Sequence, residues 1–148
     1  MPMEQSCGAV VFIKNNETEY LLLHYGKGHW GFVKGHIENM ETEKETTLRE
    51  LKEETGLSKV EFVEGFKEKK HYSYKRNKKI IYKKVTYFLI QAQHKKIKLS
   101  NEHIGYEWLN YERAKEKLSF KNSKNILKKA HKLLETIYPH NKQSTNKM

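Results

Sequence analysis

The sequence predicts an α/β fold: a mixed β-sheet between helices, in an α/β/α sandwich. Three observations predict it. Runs of β-branched and aromatic residues recur along the chain. One capped, helix-periodic segment interrupts them before its middle. Two more helix-periodic segments close the chain.

Taken in order, "SCGAVVFI" and "TEYLLLHY" read as two strands around the polar turn Lys14–Thr18. "GKGHWGFVKG" is a glycine-punctuated loop with a short strand. "LSKVEFVEGFKEKKHYSY" and "KKIIYKKVTYFLIQAQ" read as two long strands joined near Arg76-Asn77, where asparagine can adopt a left-handed turn. In the second, Lys83, Val85, Tyr87 and Leu89 fall on one face, and Tyr82, Lys84, Thr86 and Phe88 on the other. "HIGYEWLN" is a further strand and "YERAKEKL" a short helix. Ser123–Tyr138 is a longer helix, with Ile126, Ala130, Leu133, Leu134 and Ile137 on its buried stripe. Residues 1–138 make a single domain, and 139–148 are expected to be a disordered tail.

The capped helix is the informative element. Thr42 followed by Glu45 is a capping box, and Gly56 supplies a left-handed C-terminal residue, so the helix runs from Glu43 to Thr55. Leu48 and Leu51, with Thr55, give it a narrow inward face. Glu50 and Glu54 are like charges at i,i+4, and each such pair costs roughly 0.2–0.5 kcal/mol. Glu53 and Glu54 also occupy the last turn, where the helix dipole favours cations. Arg49 can relieve Glu53, but no residue of the helix is placed to relieve Glu50 and Glu54. Local rules broken without local gain mark a functional site. A solvated acidic face is one reading; the other is a missing hard divalent cation, which takes carboxylate oxygens.

Composition bounds the partners. The 148 residues carry a net charge of +11, and the isoelectric point is about 9.6. Mean hydropathy is −0.91, a heavily charged surface. Such a charge favours anionic partners, whether nucleotide or nucleic acid, without choosing between them. Cys7 is the single cysteine, which excludes an intramolecular disulfide and points to a reducing compartment; it reads as a small buried hydrophobe. No signal-peptide pattern and no membrane-length apolar run occur, so a cytoplasmic protein without membrane contact is expected, a monomer or weak dimer.

The spacing decides between the two readings of the acidic helix. Gly35, five residues, Glu41, seven residues, Arg49-Glu50-Leu51, one residue, Glu53-Glu54, one residue, Gly56-Leu57 resembles the signature of the Nudix hydrolases at every fixed position. The resemblance implies the Nudix α/β/α sandwich with a loop–helix–loop catalytic motif, and hydrolysis by water of a nucleoside diphosphate linked to another group. It implies Mg2+ (or Mn2+) as cofactor, with Gly35, Glu50, Glu53, Glu54 and Glu102 as the metal set. Arg49 would orient a glutamate by ion pairing, and Glu41 would pin the loop to the helix. Glu50, Glu53, Arg49 and Glu102 are then the catalytic candidates, Glu102 as general base or extra ligand from "LSNEHIGYEWL", with His103 turned to substrate or solvent.

The resemblance is most specific to the asymmetric diadenosine tetraphosphate (Ap4A) hydrolases, which cleave Ap4A to ATP and AMP. "HWGFVKGHIE" is similar to their motif entrance and implies Lys34 and His36 as phosphate contacts. "VEGFKEKKHYSYKRNKK" and "KKVTYFL" are similar to their hairpin, implying Tyr74 stacked on adenine, with Tyr72 as the alternative, and Lys83 on phosphate. Three features depart from the pattern: Val33 for proline, Asn39-Met40 for Pro-Gly, and Thr46-Thr47 for small alanines. Two other functions stay open, action on the 5′ end of RNA or on (d)NTPs, and a non-catalytic nucleotide or nucleic-acid binding regulator. The basic hairpin Lys67–Lys84 suits the RNA reading.

Overall fold

The computed structural model describes residues 3–139. The chain runs β1 (Met3–Lys14), β2 (Thr18–Tyr25), β3 (Trp30–Gly31), β4 (Val33–His36), α1 (Glu43–Thr55), β5 (Val60–Arg76), β6 (Lys79–Ala92), β7 (His103–Asn110), α2 (Tyr111–Lys117) and α3 (Lys121–Ile137). The segment 139–148, expected as a tail, lies outside the described residues apart from Pro139.

β1 organises the sheet. Along one edge it pairs in parallel with β6, from Met3–Tyr82 to Phe12–Gln91. Along the other edge it pairs antiparallel first with β4, over Ser6–Ala9, and then with β2, over Phe12–Lys14. The sheet therefore forks between β4 and β2, and β7 and β3 flank β2. The parallel pair among antiparallel ones makes the mixed sheet that the sequence predicts.

The two faces of β1 fill two cores, as strand alternation requires. Val10 and Phe12 join Tyr20, Leu22, Val85, Tyr87 and Leu89 beneath α2 and α3. Ala9 and Val11 join Leu21, Leu23, Ile90 and Leu51 of α1. The fully buried Tyr20 hydroxyl forms a 2.7 Å hydrogen bond with His131 Nδ1, which fastens α3 to β2. Cys7 is buried, as expected, and burial pushes its thiol up to about 11.

Four expectations need correction. Leu48 is 40% exposed; the inward face of α1 is Thr46, Thr47, Leu51, Glu54 and Thr55. Threonine can take these places because its hydroxyl is satisfied on the helix itself: Thr47 donates to the Glu43 carbonyl at 2.9 Å and Thr55 to Leu51 at 2.6 Å. On α3, Leu127 is buried and Ile137 is 42% exposed, in the helix's final turn. That helix also starts at Lys121, two residues before the predicted Ser123. The glycine-punctuated segment forms two short strands instead of one, β3 and β4.

The long hairpin closes as predicted beside Arg76, through Asn77 (φ 53°) and Lys78 (φ 66°). Two successive positive φ values give the turn whose twist matches its strands, and lysine fits the second poorly. Lys78→Gly should therefore stabilise the protein by about 1 kcal/mol. Urea denaturation checks this as a higher midpoint at unchanged slope. A lower midpoint would contradict the turn assignment.

Candidate active site

α1 begins and ends where local chemistry dictates. Glu45 N–H donates to Thr42 Oγ1 at 3.1 Å, and Thr42 N–H donates to Glu45 Oε1 at 2.9 Å, completing the capping box. Gly56 closes the helix at φ 78°, and Leu57 is buried behind it. Before the helix, Asn39 turns the loop with φ 48°, so the missing Pro-Gly is replaced by a residue that tolerates this region.

Arg49 ties that loop to the helix. Its Nε donates to Glu41 Oε2 at 2.6 Å and a terminal nitrogen donates to Glu41 Oε1 at 3.1 Å, a bidentate fork. Glu41 also accepts from the Glu38 N–H at 3.0 Å and from Thr46 Oγ1 at 2.8 Å. Hydrogen bonds from Arg49, first, and then from Glu38 hold the Glu41 carboxyl down to about 2. Thr46, a departure from the family pattern, thus has a polar role that alanine lacks. The guanidinium further reaches the His36 carbonyl at 2.9 Å, Glu50 Oε2 at 2.9 Å and Glu53 Oε1 at 3.3 Å. This corrects the expectation that Glu50 lacks a partner on the helix: its neighbour Arg49 is that partner.

Glu50 lies directly over β4. A Cβ on Gly35 would stand 2.0 Å from the Glu50 carboxyl carbon, so only glycine lets the carboxylate approach the strand. Glu54, one turn on, is buried near the middle of the helix's inward face. Burial, and then the Glu50 carboxyl beside it, push its pKa well above the usual carboxylate range. Glu53 is more open, 59% exposed at its side chain, and stays on Arg49.

A cleft of about 450 Å³ opens between α1, β4 and the turn before β7. Glu50, Glu53, Glu54, Glu102, Lys34, Gly35 and His36 all line it, so most of the predicted site is gathered there. Lys34 is pushed down to about 8, first by burial and then by the charge of Lys83. The hairpin candidates lie elsewhere. Lys83, Tyr72 and Tyr74 do not line this cleft, though register places them on the sheet face that also carries Lys34. Tyr72 pairs across the hairpin with Lys83 and is 37% exposed. The Tyr74 hydroxyl donates to Glu4 Oε1 at 3.0 Å, and Arg76 donates to Glu4 Oε2 at 3.1 Å.

Sequence reasoning missed His103. Expected to meet substrate or solvent, its side chain is fully enclosed, with Nε2 3.3 Å from Glu54 Oε1. Strand alternation would have misplaced it: Leu109 packs into the core beneath α2 and α3, and His103 reaches the α1 side because the β7 register shifts between Gly105, opposite His24, and His103, opposite Tyr25.

Among the described residues, no three His, Cys, Asp or Glu side chains converge at coordinating distance. What the fold provides is a carboxylate pair, Glu50 and Glu54, with Glu53 and Glu102 on the rim. Glu54 Oε1 is buried without a hydrogen-bond partner. Two touching carboxylates, one of them orphaned, fit a hard divalent cation.

Fold and site agree with a family match. A model described as the NUDIX domain matches residues 5–130, and the chain belongs to the Nudix family. It is 34% identical over 143 residues to the bis(5′-nucleosyl)-tetraphosphatase [asymmetrical] of Mus musculus, covering 88% of this chain and 95% of that protein. The Sus scrofa protein of the same name is 31% identical over 142 residues, at the same coverage. Among solved structures, a binary complex of the C. elegans Ap4A hydrolase superposes with TM-score 0.79 at 27% identity, covering 90% of this chain and 98% of that one. Nudix hydrolases generally need divalent metal ions.

The Gly35–Glu50 contact is open to test. Gly35→Ala should displace the Glu50 carboxyl and weaken Mn2+ binding by about tenfold or more, while the far-ultraviolet circular dichroism stays unchanged. Calorimetric titration with Mn2+ measures it. Wild-type affinity in the variant would remove Glu50 from the cation site.

Proposed function

We propose that this protein hydrolyses dinucleoside polyphosphates asymmetrically, Ap4A to ATP and AMP, with Mg2+ or Mn2+ as cofactor. Likeness to the asymmetrical tetraphosphatases over nearly the whole of both chains carries the proposal. The carboxylate cleft bordered by Lys34 supports it.

Glu50 and Glu54 would hold the cation, with Glu53, Glu102 and the Gly35 carbonyl completing its surroundings. When bound, the cation neutralises phosphate charge and supplies Lewis acidity. Arg49 positions Glu50 and Glu53 and leaves the substrate to others. Glu102, on the turn before β7, takes the proton of the attacking water. Lys34 and His36 hold phosphates remote from the broken bond, with Lys83 further along the same face. Tyr74, its hydroxyl fixed by Glu4, offers a ring for one adenine, and Tyr72 is the alternative. Remote contacts of this kind align the water and the reacting phosphorus. Because the site grips one end of a symmetric substrate, the break falls off-centre.

One observation favours a second reading, action on the 5′ end of RNA: Lys75, Arg76, Lys78 and Lys79 are all exposed at the hairpin tip. No helix among the described residues is long and apolar enough to cross a membrane. A cytoplasmic monomer or weak dimer belongs to the same proposal.

Chromatography of products from Ap4A, (d)NTPs and triphosphorylated RNA tests the reading. ATP plus AMP in equal amounts is expected; ADP as main product, or faster turnover of RNA or dGTP, would contradict it. Glu54→Gln should lower kcat by about a hundredfold or more through lost charge stabilisation. Glu102→Gln should lower kcat with little change in KM, measured at saturating Mg2+. A rise in KM alone would make Glu102 a binding residue.

A further inference from the structure

We propose that His103 is a positioning residue whose Nε2–H holds one oxygen of Glu54 and, through Ser100, couples that carboxylate to the turn carrying Glu102. The role rests on the reading that Glu54 holds a cation.

The imidazole stands at the junction of two segments. Nε2 lies 3.3 Å from Glu54 Oε1, close but not aligned as a hydrogen bond, and both atoms are buried without a hydrogen-bond partner among the described residues, so each is the other's nearest available complement. Nδ1 lies 3.2 Å from Ser100 Oγ. Ser100 Oγ accepts the Glu102 N–H at 3.3 Å, and the Ser100 N–H donates to the Glu54 carbonyl at 3.2 Å. The His103 N–H returns to the Ser100 carbonyl at 3.3 Å. Tyr25 presents its ring edgewise at 4.6 Å between centroids and limits rotation of the imidazole.

Chemistry fixes the direction of the hydrogen bonds. A cation-bound Glu54 is a carboxylate and can only accept. A bare Nε2 would set its lone pair against that oxygen, so Nε2 carries the hydrogen. Nδ1 is then the acceptor, and the Ser100 hydroxyl, already taking the Glu102 N–H, gives its own proton to Nδ1. The chain of donation runs from the Glu102 backbone through Ser100 to Nδ1, and from Nε2–H to Glu54. With Oε1 engaged, the other Glu54 oxygen is left for the cleft. A shift of the turn would reach both Glu102 and Glu54 through these contacts.

Two measurements on the full chain test this. In protein saturated with Mg2+, ¹⁵N ring spectra of His103 should show the Nε2–H tautomer. An Nδ1–H tautomer or a doubly protonated ring would overturn the proposal. His103→Gln carries an amide donor to about the position of Nε2, whereas His103→Asn reaches only as far as Nδ1. Calorimetric Mn2+ affinity should fall about 10–100-fold in the Asn variant and stay within about threefold of wild type in the Gln variant. The Asn variant should lose kcat in step, with KM little changed. Equal losses in both variants, or none in either, would overturn it. Should the Asn variant not fold, the wild-type ring spectrum decides. Neither the ring spectrum nor the metal titration uses a nucleotide, so a wrong substrate class would leave both readouts standing.

Discussion

Glu50 and Glu54 stand one helical turn apart on α1 and open onto one cleft, and much of the local structure serves to keep them there. Like charges at this spacing oppose the helix that carries them, and the helix C-terminus opposes them again. The capping box at Thr42, the left-handed Gly56 and the burial of Leu51 supply the compensating stability. Arg49 balances Glu41, Glu50 and Glu53 from one guanidinium while its contact with the His36 carbonyl ties α1 to β4. Gly35 leaves the room that the Glu50 carboxyl fills. Glu54 has no such neutralisation, and the raised pKa forced by burial and by Glu50 measures the unmet demand for positive charge.

The same constraint shapes what can bind. The acidic pair and Lys34 line the same cleft, and Lys34 is itself crowded by Lys83. Acid and base lining one cleft suit a ligand that is anionic but carries metal, which describes a polyphosphate chain. The fork of the sheet at β1 makes this possible, because β4 leaves β2 there and opens the cleft.

Elements governed by nearest neighbours were legible in the sequence. Both ends of α1 follow from hydrogen bonds within four residues, and the hairpin turn from asparagine's tolerance of positive φ. Leu48 misled because apolar periodicity selects leucine, whereas threonines with self-satisfied hydroxyls fill the sheet-facing side. The cleft residues on the signature were legible because their spacing is fixed along one helix and its adjoining loop. Their partners were not. The hold of Glu4 on Tyr74 spans 70 residues and depends on the parallel register of β1 and β6. His103 was not legible from the alternation of β7, because the register shift before Gly105 turns it to the face opposite Leu109, and the acidic Glu102 beside it drew the chemical reading.

The central claim is that the fold presses two carboxylates together against their mutual repulsion and that a divalent cation relieves it. Thermal melts of wild type and Glu54→Gln, each in chelator and in Mn2+, test this most directly. In chelator the variant should melt at or above wild type, since a neutral amide replaces a buried carboxyl that burial and Glu50 disfavour in its ionised form. In Mn2+ at about a hundred times the dissociation constant, wild type should gain about 2.7 kcal/mol and the variant far less. A variant that melts well below wild type in chelator, or that gains as much from Mn2+, would contradict the account.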